Sequence, residues 1–417
     1  MQHHETIPMI PVSHARGAWL FDAEGNRYLD GVSSWWVNLF GHANPRINAA
    51  LKDQLDKLEH VMLAGFTHEP VITLSERLSE KTGNALGHCA FASDGASAVE
   101  MALKMSVHSW HNLGFADKNE YVCLKGSYHG ETIGALTVTN EAWCRHPYDA
   151  LLNAAHVVMS PDARSADKNE NAQDVARRAI AEVEKLFEQR SNSIAAIIVE
   201  PLVQCAGSFA MHDPLYLTLL RALCDQYQVH LIADEIAVGC GRTGTFFACE
   251  QAAIWPDFLC LSKGISGGYL PLSLVMTTDE IYHTFYHQDA KRAFLHSHTY
   301  SGNPLACRAA LAALDIFDED NVLATNRIQA EKLNEVLAPL TRHSKVKNFR
   351  QCGMIWAFDV PDAEAGFSMR FFSAALKQEL LLRPIGKTVH LMPPYILNDD
   401  EITLLGQRTL SVLEQVI

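Results

Sequence analysis

Two residues of this sequence end apolar runs in a way that suits chemistry. VHLIADE closes on Asp234 and Glu235, and FLCLSKG delivers Lys263, which is followed by the small, flexible run GISGGYLP. A lysine held partly desolvated favours its neutral, nucleophilic form. A carboxylate at the carboxyl end of a parallel strand sits where open α/β sheets bind ligands. Together they meet the needs of pyridoxal phosphate: an amine to bond its aldehyde and an acid to keep its ring nitrogen protonated. On these two residues alone, a buried structural ion pair is the favoured reading, since such pairs also perturb pKa values, and only the residues around them reverse it.

Elements on either side position these groups. SIAAIIVEP reads as a fully apolar strand ending on Glu200, with Gln204 just beyond it, and a helix from Pro214 to Tyr227, N-capped by Asp213, completes a βαβ unit with VHLIADE. Glu200 and Gln204 are therefore expected near Asp234. HCAFASDGASAVEMALKMSVHSWHN reads as strand, glycine-containing turn and helix, with Val99, Leu103, Val107 and Trp110 on one face. Such a turn offers backbone N–H groups and a positive helix end to an anion. YVCLKGSYHGETIGALTVT places Tyr128 and His129 at the same sheet edge. INAALKDQLDKL and PVITLSERLSEKTG read as amphipathic helices, and Asn171 starts another with Val175, Ala179, Val183 and Leu186 on its buried face. The last third alternates strands (MIWAFDV, TVHLM) with helices, and WLFDAEGNRYLDG near the start reads as a hairpin. The fold expected is α/β, with a mainly parallel large domain over 46–305 and a small α+β domain from 1–45 with 306–417.

The chain has 417 residues, 48% of them hydrophobic and 20% charged, enough for a large core. A net charge of −14 without a basic run argues against nucleic acid. Ten cysteines without a CxxC pair read as reduced thiols, which implies the cytoplasm. The histidine pairs (His3 and His4, His108 and His111, His296 and His298) lack a third ligand, so no metal is expected. No apolar stretch approaches the roughly 18 residues of a membrane span.

ADEIAVGCGRTGTFFACE followed by PDFLCLSKGISGGYLPLS resembles the cofactor core of class III (omega-type) aminotransferases, which are fold type I pyridoxal phosphate enzymes. GVSSWWVNLFGHANP, SYHGETIGA, HSHTYSGNPLAC and RPIGKTVHLMPPYIL narrow the resemblance to a biotin-pathway branch, and it runs nearly end to end. It implies transamination of 8-amino-7-oxononanoate to 7,8-diaminononanoate with S-adenosylmethionine as amino donor. The scheme would be ping-pong, with Lys263 holding the cofactor as a Schiff base and Asp234 facing the ring nitrogen. It implies Gly95 and Ala96 at the cofactor phosphate, where many relatives carry a hydroxyl residue in place of Ala96. Tyr128 would lie by the ring and substrate, and His298 and Thr299 by the cofactor. Thr299 resembles a residue that reaches the phosphate of the neighbouring subunit, which implies a homodimer with shared sites. Trp35, Trp36 and Ser297 would border the substrate, and Arg383 would anchor its carboxylate. Glu200 and Gln204 would border the site, as structural ion-pair partners or as catalytic groups. Relatives commonly carry a Trp-His-Pro-aromatic segment just before the part aligning with Met1 and Gln2, and the numbered chain begins after it. Alternatives are a class III enzyme acting on 4-aminobutyrate, ornithine or a diamine, lysine as the donor, and a cofactor-sensing fold without catalysis. The SSWW and RPIGK segments argue against the first, and Lys263 itself against the last.

Overall fold

The computed structural model describes Ile7 and residues 9–417. Residues 1–6 and Pro8 lie outside the described residues, and with them His3 and His4. The chain divides into two compact units. One takes the described residues through Lys52, Gly241–Gly244 and Ala312–Ile417; the other takes Asp53–Cys240 and Thr245–Leu311. Sequence reading placed its limits at 45/46 and 305/306 and gave the GRTG segment no separate place.

The larger unit is built on a seven-stranded sheet in the order His88–Ala92, Ser273–Thr277, Phe258–Leu261, His230–Asp234, Ile194–Val199, Glu120–Leu124, His156–Val158. Ser273–Thr277 runs antiparallel to both neighbours, and the other neighbouring pairs are parallel. The central strands Ile194–Val199, His230–Asp234 and Phe258–Leu261 are buried along their whole length. This is why they read as unbroken apolar runs instead of alternating ones. Helix Gly95–Asn112 packs on this sheet through Val99, Leu103 and its small residues Ala98 and Ala102, against Ile198, Ile232, Phe258 and Val275. Val107, expected on the same face, is only half-buried.

Local signals account for the element ends. Asn171 caps helix Ala172–Arg190 in a reciprocal capping box with Asp174. Phe187 is buried in that helix, while Leu186 is half-buried. Helix Leu215–Tyr227 begins one residue later than expected, with Asp213 Oδ1 accepting the Leu215 N–H at 2.9 Å.

The smaller unit holds a four-stranded sheet (Val12–Arg16, Trp19–Asp22, Arg27–Asp30, Leu380–Leu381) and a three-stranded one (Lys347–Cys352, Ile355–Asp359, Thr388–Leu391). Its most unusual backbone is at Ser33–Trp36, where φ is +51°, +47°, +73° and +71° in succession. This is a left-handed turn of four non-glycine residues, each costing about 1–2 kcal/mol relative to the right-handed form. Hydrogen bonds hold it. Buried Asp30 accepts Ser34 N–H at 2.9 Å and Ser34 Oγ–H at 2.7 Å, and Ser33 Oγ donates to Met392 O at 2.7 Å. Fully buried Arg242, from GRTG, donates to the carbonyls of Pro393 at 2.7 Å and Asn38 at 3.2 Å and lies over the Tyr395 ring.

Glu235 shows what the ADE segment does for the larger unit. Its carboxylate, 1% exposed, accepts the N–H groups of Ala248 (2.7 Å) and Cys249 (2.8 Å). Burial raises its pKa from 4.5 to about 7, and the two amides offset this only in part. An acid with a raised folded-state pKa stabilises fully below its unfolded value, and that contribution is lost as pH rises through the folded value. At ~1.4 kcal/mol per unit, the change from 4.5 to about 7 amounts to about 3.5 kcal/mol. Urea unfolding of wild type and Glu235→Gln across pH 4.5–7 should show the wild type losing stability relative to the variant as pH rises. Two parallel curves would contradict this placement of the charge.

Candidate active site

Asp234 is the last residue of its strand and is 5% exposed. Its Oδ1 accepts the Ile236 N–H at 3.1 Å, and Oδ2 lies 2.7 Å from Nδ1 of buried His129. A carboxylate only accepts, so His129 donates from Nδ1. His129 is in turn fixed by its own N–H to Thr139 Oγ1 at 2.9 Å. Its Nε2 is buried with no hydrogen-bond partner among the described residues. Sequence reading put His129 at this edge but gave it no role; the signal available was an imidazole directly after Tyr128.

Lys263 follows the next strand and starts a short 3-10 turn with φ +46°, a left-handed conformation for a side chain-bearing residue. Gly267 (φ +64°) and Gly268 (φ +83°) close that turn. Burial lowers the Lys263 pKa below that of a free lysine, and the negative charges of Asp234, Cys205 and Glu200 oppose that shift. Charge and desolvation therefore act on one amine from nearby groups, as a nucleophilic lysine requires.

Glu200 is 5% exposed and accepts the Tyr128 N–H at 3.2 Å. Burial first, and then the charge of Asp234, push its pKa well above the usual carboxylate range. Gln204 is buried; its Oε1 accepts from Ser160 Oγ and its Nε2 donates to Lys125 O at 3.2 Å. Tyr128 is half-buried, with its hydroxyl donating to Glu131 Oε1 at 3.0 Å. Burial raises its pKa, so the phenol stays protonated.

Gly95 and Ala96 form the first turn of helix Gly95–Asn112, whose N-cap Asp94 accepts the Ser97 N–H at 2.9 Å. A Cβ on Gly95 would come within 3.0 Å of Ile236, so glycine lets this turn sit close to the residue two after Asp234. Gly130, at φ +122°, likewise has no room: a Cβ would lie 2.6 Å from that of Ala96. His298 Nδ1 lies 3.4 Å from Ser93 Oγ, beside this turn, while Ser297 and Thr299 are exposed.

These residues fit pyridoxal phosphate. A helix N-terminus with close glycines suits the phosphate, a buried carboxylate braced by a histidine suits a protonated ring nitrogen, and Lys263 suits the aldehyde. No group of three or more His, Cys, Asp or Glu able to hold a metal occurs among the described residues.

The smaller unit carries the other expected substrate residues. Trp35 is 60% exposed. Trp36 is turned inward, 8% exposed, with its indole N–H donating to His390 Nε2 at 3.2 Å. Trp36 packs and hydrogen-bonds inside the protein while Trp35 is exposed, because successive residues of a helical turn face different ways. Arg383 is exposed, with its guanidinium 5.6 Å from the Trp35 ring centroid and 5.7 Å from that of Phe372. Among the described residues it has no carboxylate partner.

The family model for class-III aminotransferases matches residues 1–413. The adenosylmethionine-8-amino-7-oxononanoate aminotransferase of Helicobacter pylori is 43% identical over all of this chain and 94% of its own length. The protein of the same name from Synechococcus elongatus is 38% identical over 98% of this chain and 95% of its own. A crystal structure of that aminotransferase from Methanocaldococcus jannaschii superposes with a TM-score of 0.93 at 30% identity, covering all of this chain and 95% of that one. An amine transaminase from an uncultivated Pseudomonas species, in its PLP-bound form, also gives 0.93 at 30% identity, covering 98% and 96%. The chain belongs to the class-III aminotransferases, enzymes of fold type I that use pyridoxal phosphate.

Proposed function

We propose that this aminotransferase converts 8-amino-7-oxononanoate to 7,8-diaminononanoate with S-adenosylmethionine as the amino donor, a step of biotin biosynthesis. The names of its most similar relatives support the pair of substrates. The observation that carries the acceptor's chemistry is Arg383, a cation between two aromatic rings without a carboxylate of its own. An acceptor with a long apolar chain ending in a carboxylate matches a two-pronged guanidinium set among aromatic surfaces.

When bound, pyridoxal phosphate supplies an electron sink for negative charge beside the carbon that bears the amine. Lys263 would hold the cofactor through its aldehyde, and its amine, once free, would take the proton from the reacting carbon and return it, as base and then acid. Its lowered pKa suits both roles. Asp234 would hold the proton at the pyridine nitrogen, and His129 keeps that carboxylate oriented. The N–H groups of Gly95 and Ala96 bind the phosphate, with His298 beside them. Tyr128 lies by the ring and substrate. Glu200 braces the Tyr128 loop by accepting the Tyr128 N–H, while burial and the charge of Asp234 raise its pKa. Gln204 holds the neighbouring backbone through Lys125 O. Trp35 presents an aromatic face to substrate, and Trp36 anchors the turn that carries it.

The working unit in this reading is a homodimer in which Ser297 and Thr299, exposed on their own chain, serve the opposite subunit's site. The compartment is the cytoplasm: all ten cysteines are unbonded, as thiols are in reducing surroundings. No helix among the described residues is long and apolar enough to cross a membrane.

Single-turnover kinetics of each half-reaction test the substrates and Arg383 together. Wild type should be aminated by S-adenosylmethionine and then discharged by 8-amino-7-oxononanoate. Arg383→Ala should weaken the acceptor half by roughly tenfold to a hundredfold, from a charge-assisted bond of about 1.5–3 kcal/mol, and change the donor half less. Equal losses in both halves would contradict a carboxylate anchor, and amination by lysine or 4-aminobutyrate alone would overturn the proposed donor. Mixing two inactive variants, Lys263→Ala and Thr299→Glu, under subunit exchange should restore part of the activity in hybrid dimers. No recovery would mean that each site is built within one chain.

A further inference from the structure

Trp143 has no part in the proposal above, yet its indole is 64% exposed and lies nearly parallel to the Tyr128 ring, with centroids 6.0 Å apart and 12° between planes. Aromatic surface of that size left open beside a site residue is unusual, since burial of such a ring is strongly favoured. The pair is held in register. Thr139 Oγ1 accepts the His129 N–H and donates to Gly130 O at 3.2 Å, Ser127 Oγ donates to Val138 O at 2.9 Å, and Asn140 N–H donates to Ser127 O at 2.8 Å. The strand of contacts that fixes His129 against Asp234 therefore also fixes the start of the segment bearing Trp143. The segment is braced further along, where Arg145 donates to Thr139 O at 3.3 Å and pairs with Asp149. The indole itself is hydrogen-bonded to Glu141. Two carboxylates, Glu131 on the Tyr128 hydroxyl and Glu141 on the indole, thus border one aromatic pair. The surroundings favour a ligand that is aromatic and positively charged.

We infer that Trp143 is a specificity residue for the amino donor: its open face stacks the donor's adenine, while the carboxylates of Glu131 and Glu141 attract the donor's positive charge. The inference rests on S-adenosylmethionine being the donor and names the surface that selects it. An aliphatic diamine donor such as lysine offers no ring to stack, so the same surface discriminates against it. The acceptor has no aromatic ring either, and its half-reaction is indifferent to Trp143.

The test uses holoenzyme as wild type, Trp143→Phe and Trp143→Ala. The first readout is the half-saturating concentration of S-adenosylmethionine in the donor half-reaction. Trp143→Ala should raise it by roughly tenfold, in keeping with the loss of one base–aromatic stack, with the limiting rate within about twofold. Trp143→Phe should keep most of the affinity, and the acceptor half should move by less than about twofold in either variant. The second readout is equilibrium binding of 5′-methylthioadenosine, which carries the adenine but no amine to transfer. It should quench wild-type tryptophan fluorescence and bind Trp143→Ala roughly tenfold more weakly. Unchanged donor saturation and unchanged nucleoside binding would overturn the inference while leaving the proposed reaction intact, as would equal losses in both halves. A wild-type enzyme that is not aminated by S-adenosylmethionine would overturn both.

Discussion

The structure depends on supplying one carboxylate with hydrogen-bond donors where water is nearly excluded. Burying an unpaired charge costs several kcal/mol, and a carboxylate so placed ordinarily takes up a proton. Asp234 is not left unpaired: the imidazole of His129 and the Ile236 N–H occupy its two oxygens. Everything that fixes those two donors thereby becomes part of the site. The parallel strands set Asp234 and Lys263 at adjacent strand ends, since Asp234 is paired with Cys260 in the neighbouring strand. The Thr139 hydroxyl sets His129, and the missing side chain at Gly95 lets the first turn of helix Gly95–Asn112 approach Ile236. Nearby Glu200 shows the opposite solution: with Asp234 already charged, its own ionisation is disfavoured.

A second constraint governs the smaller unit. Four consecutive left-handed residues at Ser33–Trp36 are costly, and strain of this kind persists only where the surroundings determine it more strongly than local preference does. Asp30, the Met392 carbonyl, Arg242 and His390 supply that determination. The buried indole of Trp36 accepts the structural load, and burial holds His390, its acceptor, well below the usual histidine range, to about 3. Trp35 is consequently presented to solvent on a rigid support beside Arg383.

Much of this was legible in the sequence, for identifiable reasons. Buried parallel strands leave unbroken apolar runs, so VHLIAD and FLCL announced both themselves and the polar residues at their ends. The helix start at Asn171 and the hairpin at Glu24–Asn26 follow local rules and formed as read. What sequence could not supply was direction in three dimensions. Nothing in SSWW says that the backbone turns left-handed, so the division of labour between Trp35 and Trp36 was invisible. The bond from His129 to Asp234 joins residues 105 apart, and the approach of Gly95 to Ile236 is also long-range. Trp143 went unread because an isolated tryptophan in EAWCRHPY has no periodicity to place it. Its meaning comes only from the ring stacked beside it.

The central claim is that Lys263, and not merely any desolvated lysine, is the reacting amine. The chain contains its own control. Lys118 is also buried, and burial brings its pKa down to about 8, yet its ammonium donates to the carbonyls of Ser191, Ile194 and Gln228, with no carboxylate partner among them. Borohydride reduction of the holoenzyme followed by peptide mapping should place the cofactor on the peptide containing Lys263 and leave Lys118 unmodified. A cofactor fixed to Lys118, or to any other lysine, would contradict the account.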